Sequence, residues 1–391
     1  MTTSLLTFSN LYPNETQPGL GLFVETRLLQ LMRGRDYAAR VVAPVPWFPF
    51  THPRFGKFSA FAGVPHSGTR HGIQIDHPRY LHVPKIGMHT APAAMGRAGV
   101  RLARAFAKQG FIPNLIDAHY FYPDAVAAAR VARSLDRPLM VTARGSDINL
   151  ITQYARPLRL MRETAAQADA IVAVSSALAN RMADLGFGSD KIHVLRNGVD
   201  LEYFGLRAQD AAREQLGVQG RVLLSVGNLI ELKGHHLIID AIRSHEDVTL
   251  LIAGEGPFRA QLEDRILQFG LAHRVRLLGQ QSRNALRTLY AAADMLVLAS
   301  SREGLANVLL ESVASGLPVV ATDVGGNAEV VSDAAAGRLV TTRTPEAIWS
   351  EIEQLYAQYP GRQRTRQFAQ KFGWGDTCHR LDGLIQRIMA H

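Results

Sequence analysis

A single cysteine, Cys378, occurs in the 391 residues. No disulfide can form within the chain, and a reducing compartment fits. Cys378 has no catalytic context around it and reads as a packing residue. Uninterrupted apolar runs fall well short of the ~18 residues needed to span a bilayer. The start, MTTSLLTFSN, lacks the basic n-region and long apolar stretch of a secretory leader, so a cytoplasmic protein is expected. There is no G-x4-G-K-[S/T] phosphate loop, no G-x-S-x-G nucleophile elbow and no Cys/His cluster of zinc spacing. SVGNLIELKG does not fit the G-x-G-x-x-G of a dinucleotide site. No basic strip is interleaved with aromatics for stacking bases, so nucleic acid is not expected as a partner.

The composition is that of a globular protein, with 47% apolar and 20% charged residues. The length predicts two domains, since one core rarely grows beyond ~250–300 residues. Net charge is uneven. Residues 1–200 carry +10 and residues 201–391 carry −1. Such asymmetry suits a first half that faces a membrane surface, a phosphorylated substrate or a nucleic acid, or simply a basic, soluble surface.

Short apolar runs alternate with longer amphipathic stretches throughout. ARVVAPV (39–45), LIDAH (115–119), LMVTA (139–143), AIVAVS (170–175), RVLLSVG (221–227), VTLLIAG (248–254), MLVLAS (295–300) and LPVVATD (317–323) read as strands buried on both faces. Helical stretches separate them, including 21–34, 123–135, 234–244, 257–269 and 305–315. This alternation predicts parallel sheets with helices on both sides. The pattern restarts near residue 200. The expected architecture is α/β, two doubly wound Rossmann-like domains, 1–200 and 201–375, facing across a cleft. Residues 46–100, rich in Pro, His and Gly, are the least regular part. A helix at about 376–391 is expected to pack back on the first domain.

The candidate chemistry lies in strand-to-helix loops, where open parallel sheets bind ligands. SREGLANVLLESVASG (301–316) places Glu303 in a loop after a strand and Glu311 one to two turns into the next helix. The spacing alone means little, because Glu255 and Glu263 repeat it. In this context both carboxylates can reach one ligand and accept hydroxyl hydrogen bonds from a sugar or ribose. The amides of Gly304, Leu305, Ala306 and Asn307 at the helix start form an anion site between them. GNLIELKG (227–234) sets Lys233 where an ammonium could meet a phosphate, beside Gly227 and Asn228. AGEGP (253–257) supplies Gly254 and Gly256. Each loop alone is an ordinary turn; three at one sheet edge describe a nucleotide-diphosphate pocket. In the first half, QPGLGLF brings Gly21, DAHYFYPD brings His119, and TARGSDIN brings Arg144, which would bind phosphate or pair with Asp147.

Taken together, GLGLFV, DAHYFYPD, TARGSDI, ADAIVAVS, RNGVD, SVGNLIELKG, LIAGEGP, VRLLGQ and SREGLANVLLESVASGLPVVATDVGG resemble, in this order, the large retaining glycosyltransferase family 4 of GT-B fold. The likeness covers nearly the whole chain and leans toward enzymes of cell-surface or exopolysaccharide assembly, of the teichuronic acid type. It implies a UDP- or GDP-sugar donor as substrate, and no metal or other cofactor. Glu311 would take the ribose hydroxyls and Glu303 those of the transferred sugar. Lys233 and the amides of Gly304 to Asn307 would hold the diphosphate, with Gly21 close by. His119 would contact the sugar near the reacting carbon, and the base would lie near Leu278 to Gln280. Two departures stand out. Many members carry arginine where this chain has Asn228, and histidine where it has Arg144. A second positive charge on the diphosphate would then come from Arg144 or Arg196.

The acceptor is expected to be a glycan or a lipid-linked glycan. GRAGVRLARAFAKQG (96–110) sets Arg97, Arg101, Arg104 and Lys108 on one helical face. That face suits anionic lipid at the inner side of the cell membrane, or a solvated surface over a packed core. Two other readings stay open: a GT-B enzyme such as a nucleotide-sugar 2-epimerase, and a catalytically silent sugar-nucleotide-binding protein.

Overall fold

The computed structural model describes residues 2–82 and 87–390. The chain divides into two compact units, Met1–Asn197 with Gly375–His391, and Gly198–Trp374. The first contains strands β1 (Thr3–Phe8), β2 (Tyr37–Val42), β3 (Val45–Pro46), β4 (Ser67–Arg70), β5 (Ile73–Asp76), β6 (Arg79–Tyr80), β7 (Leu115–His119), β8 (Leu139–Ala143), β9 (Ala170–Ala173) and β10 (Ile192–Val194). Its sheet runs β10-β9-β8-β7-β1-β2-β5-β4, and β3 and β6 form a separate two-stranded ribbon. Every pairing is parallel except β4 with β5. The second unit holds β11 (Arg221–Val226), β12 (Val248–Ala253), β13 (Val275–Leu277), β14 (Met295–Leu298), β15 (Val319–Thr322) and β16 (Gly337–Val340), in the order β13-β12-β11-β14-β15-β16. All of its pairs are parallel.

Burial explains why the central strands read so plainly. Every residue of β7, β8, β9, β14 and β15 is buried, because crossover helices cover both faces of a parallel sheet. The short strands β4, β5 and β16, at or next to a sheet edge, escape the sequence reading. They are four residues long and carry partly exposed polar groups such as Gln74 and Arg338.

The helix Gly87–Lys108 begins earlier than residue 96, where the sequence reading starts it. Pro92 sits inside it and cannot donate to the Met88 carbonyl. That carbonyl instead accepts from the Tyr122 hydroxyl, so the missing intrahelical bond is replaced and the helix continues.

The final helix, Trp374–Met389, belongs to the core of the first unit. Leu381, Leu384 and Ile385 pack with Leu5, Leu28, Leu31, Val41 and Leu115. The Tyr37 hydroxyl donates to Asp382 Oδ1 at 2.5 Å, and Arg35 Nε lies 3.7 Å from Asp382 Oδ2. Cys378 is buried in the same helix. No helix among the described residues is long and apolar enough to cross a membrane.

Ile385 is fully buried. Ile385→Ala should destabilise the first unit by about 2–5 kcal/mol. Amide exchange is expected to speed up in β1 and β2 while β11 and β12 keep their protection.

Candidate active site

In the second unit, β12 and β14 both pair with β11 in parallel. The loops that follow these three strands therefore leave one edge of the sheet. The chain winds outward through β12 and β13, then returns as β14 on the other side of β11. At such a reversal the crossover helices depart to opposite faces and leave a crevice beyond the strand ends. The loops after β11 and β14 border it.

Those loops carry Lys233 and Glu303. Lys233 Nζ donates to Glu303 Oε1 at 2.6 Å, with the two side chains 21% and 10% exposed. Ser300 Oγ donates to the same oxygen at 2.7 Å. Arg343 braces the Lys233 turn, donating from Nε to the Ala299 carbonyl at 2.8 Å and from Nη2 to the Glu231 carbonyl at 3.4 Å.

Gly254 has φ +154°, and a Cβ on it would lie 1.8 Å from the Gly227 carbonyl oxygen. Only glycine lets these loops approach so closely. Gly227 N–H donates to the Ala253 carbonyl at 3.0 Å and Leu229 N–H to that of Glu255 at 2.9 Å. Gly256 lies against the Leu229 backbone, and Asn228 is exposed. Beyond β13, Leu278 N–H donates to the Ile252 carbonyl at 2.8 Å, so the stretch Leu278–Gln280 runs beside the β12 loop.

The helix Asn307–Ala314 starts after Gly304, Leu305 and Ala306, all three buried. No side chain caps it at Ala306, and the first turn of a helix carries partial positive charge. The Gly304 carbonyl accepts from Gly326 N–H at 2.9 Å and pins the loop. Within this helix Glu311 Oε2 accepts from the Tyr290 hydroxyl at 2.9 Å. Burial pushes the Glu311 carboxyl up to about 6, against the opposing pull of Tyr290 and Arg283.

The first unit repeats the topology, with β7 returning beside β1 after the chain has wound out through β2. His119 ends β7, and Gly21 closes the loop after β1 against the Leu11 carbonyl. His119 is 1% exposed. Its Nε2 donates to Asp117 Oδ2 at 3.0 Å, and its Nδ1 accepts from Arg144 Nη2 at 2.6 Å. Burial lowers the imidazole to about 4, with Arg144 and Arg27 adding to the effect against Asp117, so the ring is neutral at physiological pH. Burial acts to raise the Asp117 carboxyl, but His119, Arg27 and Arg144 outweigh it and hold the group below the usual range.

Arg144 does not pair its guanidinium with Asp147. Its Nη1 donates to Asn197 Oδ1 at 2.9 Å, and the group lies 4.8 Å from the Phe23 ring centroid. Burial, then the Arg27 charge, bring Arg144 down to about 9. Asp147 instead accepts backbone N–H groups, from Phe121 and Gly145 at 2.8 Å and from Arg144 at 3.1 Å. It ties the β7 and β8 loops together. Arg196, partly exposed after β10, accepts at its carbonyl from Thr377 Oγ1 at 3.1 Å.

The candidates thus form two clusters, one at each reversal: Lys233, Glu303, the helix start and Glu311 in one unit, His119 and Arg144 in the other. Several of their partners were not read from the sequence. Asp117 was within reach, since residues two apart on a strand share a face. Tyr290, Arg27 and Arg343 carry no local signal, because only the fold brings them near. Among the described residues no group of three or more His, Cys, Asp or Glu side chains is placed to hold a metal ion.

Comparison with known proteins identifies the family and the fold. Glycosyltransferase Family 4 matches residues 26–203, and Glycosyl transferases group 1 matches residues 207–372. The chain is 30% identical over 331 residues to a protein of Bacillus subtilis (strain 168) named for a glycosyltransferase of teichuronic acid biosynthesis, TuaC; the match covers 82% of this chain and 81% of that one. It is 33% identical over 217 residues to the lipopolysaccharide core biosynthesis glycosyltransferase LpsE of Rhizobium meliloti (strain 1021), covering 56% and 61%. Among solved structures, Anabaena HepE in complex with UDP-glucose superposes with a TM-score of 0.73 at 20% identity over 99% of this chain and 100% of that one. Sucrose-phosphate synthase from Thermosynechococcus elongatus gives 0.78 at 17% identity over the whole of both chains. The chain belongs to the family 4 glycosyltransferases and has their GT-B fold.

Proposed function

We propose that this glycosyltransferase moves a sugar, with retention of anomeric configuration and without a metal ion, from a nucleoside diphosphate sugar to a glycan or lipid-linked acceptor in cell-surface polysaccharide assembly. The Lys233–Glu303 pair at the strand-order reversal carries this reading. A lysine and a carboxylate from loops 70 residues apart meet at 2.6 Å beside an uncapped helix start. That combination suits a ligand with an anion next to hydroxyl groups. UDP is the favoured nucleotide, as HepE of the same fold is seen with UDP-glucose. The names of TuaC and LpsE favour a surface-glycan acceptor, and such an acceptor suits an enzyme working at the inner face of the membrane.

On this reading the donor diphosphate takes Lys233 away from Glu303. Lys233 and the amides of Gly304 to Asn307 stabilise the charge that grows on the leaving diphosphate. One preorganised donor of this kind is typically worth ~2.7–4 kcal/mol. Glu303, released, accepts from hydroxyls of the transferred sugar and orients it. Glu311 accepts from the ribose. Gly21 and a second cation, Arg144 or Arg196, complete the diphosphate contacts. His119 meets the sugar near the reacting carbon, as a neutral group whose orientation Asp117 and Arg144 set. The acceptor hydroxyl attacks from the face the diphosphate leaves and passes its proton to a departing phosphate oxygen, so no protein base is needed.

A thermal-shift screen of nucleotide sugars, followed by product analysis with and without a glycan acceptor, tests the reading. Acceptor-dependent transfer is expected; release of a free epimer without acceptor would replace it with the epimerase alternative. Glu303→Ala should cut kcat about 10²–10³-fold with a smaller change in donor affinity. Equal loss of both would reassign that glutamate. For Glu311, ionisation in the fold costs about 2 kcal/mol. Glu311→Gln should therefore stabilise the free protein by up to that amount above pH 6. The gain should shrink as pH falls through 6 and vanish below about 4.5, while donor affinity drops at pH 8. Arg144→Ala should lower turnover and let the His119 pKa rise from about 4, read by NMR of the ring. Unchanged turnover and donor affinity would remove Arg144 from the donor site.

A further inference from the structure

A cavity of about 850 Å³ lies in the first unit, walled by the helices Gly87–Lys108 and Val126–Leu135 and by the ribbon strand β6. Arg79, Arg97, Arg101, Arg130 and Arg133 line it. No carboxylate is among the described lining residues, and neither helix contains an Asp or Glu. Arg97, Arg101 and Arg130 are exposed. Arg79 Nη1 is buried and has no hydrogen-bond partner among the described residues.

Arg79 Nη2 donates to the Val64 carbonyl and Arg133 Nη2 to Gln167 Oε1, but no carboxylate among the described lining residues offsets the gathered charge, and a bound anion would relieve its repulsion. The helices are nonetheless shaped to allow this gathering. A Cβ on Gly96 would lie 2.7 Å from Arg130 Cδ, so the absence of a side chain there lets Arg130 cross the neighbouring helix.

The rim is apolar. Leu81, on the lining, is 61% exposed. Trp47 N–H donates to the Tyr80 carbonyl at 2.8 Å, and its side chain is 54% exposed. Tyr80 also lines a second cavity, of about 360 Å³, whose walls include Asn10, Leu11 and Leu20 of the loop after β1. Tyr80 is the wall common to the two cavities.

We propose that this cavity seats the phosphate or diphosphate of a lipid-linked acceptor, with the arginines gripping the anion and Tyr80, Leu81 and Val100 meeting the first part of the hydrocarbon chain. Arginine suits this task because its planar fork binds phosphate oxygens in pairs. The identity of the ligand as an acceptor rests on the transferase reading. Its binding does not, and is measured without any sugar transfer.

Calorimetric titration with farnesyl diphosphate, farnesol and inorganic pyrophosphate tests the site on the full chain. Farnesyl diphosphate should bind at least tenfold more tightly than pyrophosphate, and farnesol should not bind measurably. Arg97→Gln with Arg101→Gln should weaken farnesyl diphosphate at least tenfold, whereas Lys233→Ala should leave it unchanged. Both arginines are exposed, so the double variant is expected to fold; circular dichroism confirms that. Loss of binding in Lys233→Ala alone would move the ligand to the second unit and overturn the proposal. Equal affinity for pyrophosphate and farnesyl diphosphate would leave an anion site with no lipid specificity and overturn it too. Unchanged farnesyl diphosphate binding in the arginine variant, with loss only of sedimentation on vesicles containing phosphatidylglycerol, would assign these arginines to the bilayer surface instead.

Discussion

A parallel sheet that grows in two directions must reverse once, and that single reversal dictates where chemistry can sit. Crossovers between parallel strands keep one hand. When β14 returns beside β11, its helix must leave toward the opposite face from the helix after β11. The ends of the two strands are then left with loops but no helix above them. Lys233 and Glu303 occupy those loops, and their ion pair spans the gap. The same constraint acts in the first unit, where the loops after β1 and β7 bring Gly21 and His119 to the corresponding place.

The two clusters differ in electrostatic character. In the second unit the lysine is balanced by a glutamate, and an uncapped helix end lies alongside. In the first unit a histidine is kept neutral by burial, between an aspartate and an arginine that leave its ring little freedom to turn. A neutral imidazole can orient and donate without adding charge. Glu311 is a third case. Its carboxylate is disfavoured by burial, and a hydroxyl rather than a cation steadies it.

Much of this was legible in the sequence, for a physical reason. Central strands of a doubly wound sheet are buried on both faces, so runs such as Leu115–His119 and Met295–Leu298 stand out as unbroken apolar segments. The loops after them can be located from the strand ends alone, and Lys233, Glu303 and His119 were found that way. Edge strands such as Gly337–Val340 are short and half-solvated and leave no such mark. The helix through Pro92 was cut short because the residue that rescues it, Tyr122, lies 34 positions from Met88. Arg27, Tyr290 and Arg343 were missed for the same reason. Their partners are distant in sequence, and a local pattern cannot encode a distant contact.

The core of the first unit is completed by Leu381, Leu384 and Ile385, which follow the whole second unit in the chain. During synthesis, residues 198–374 are therefore made as one uninterrupted stretch while the earlier half still lacks part of its interior. The segment that begins first finishes second. Until residue 385 emerges, the apolar groove around Leu5, Leu28 and Val41 stands open, a surface that chaperones or premature self-association could reach.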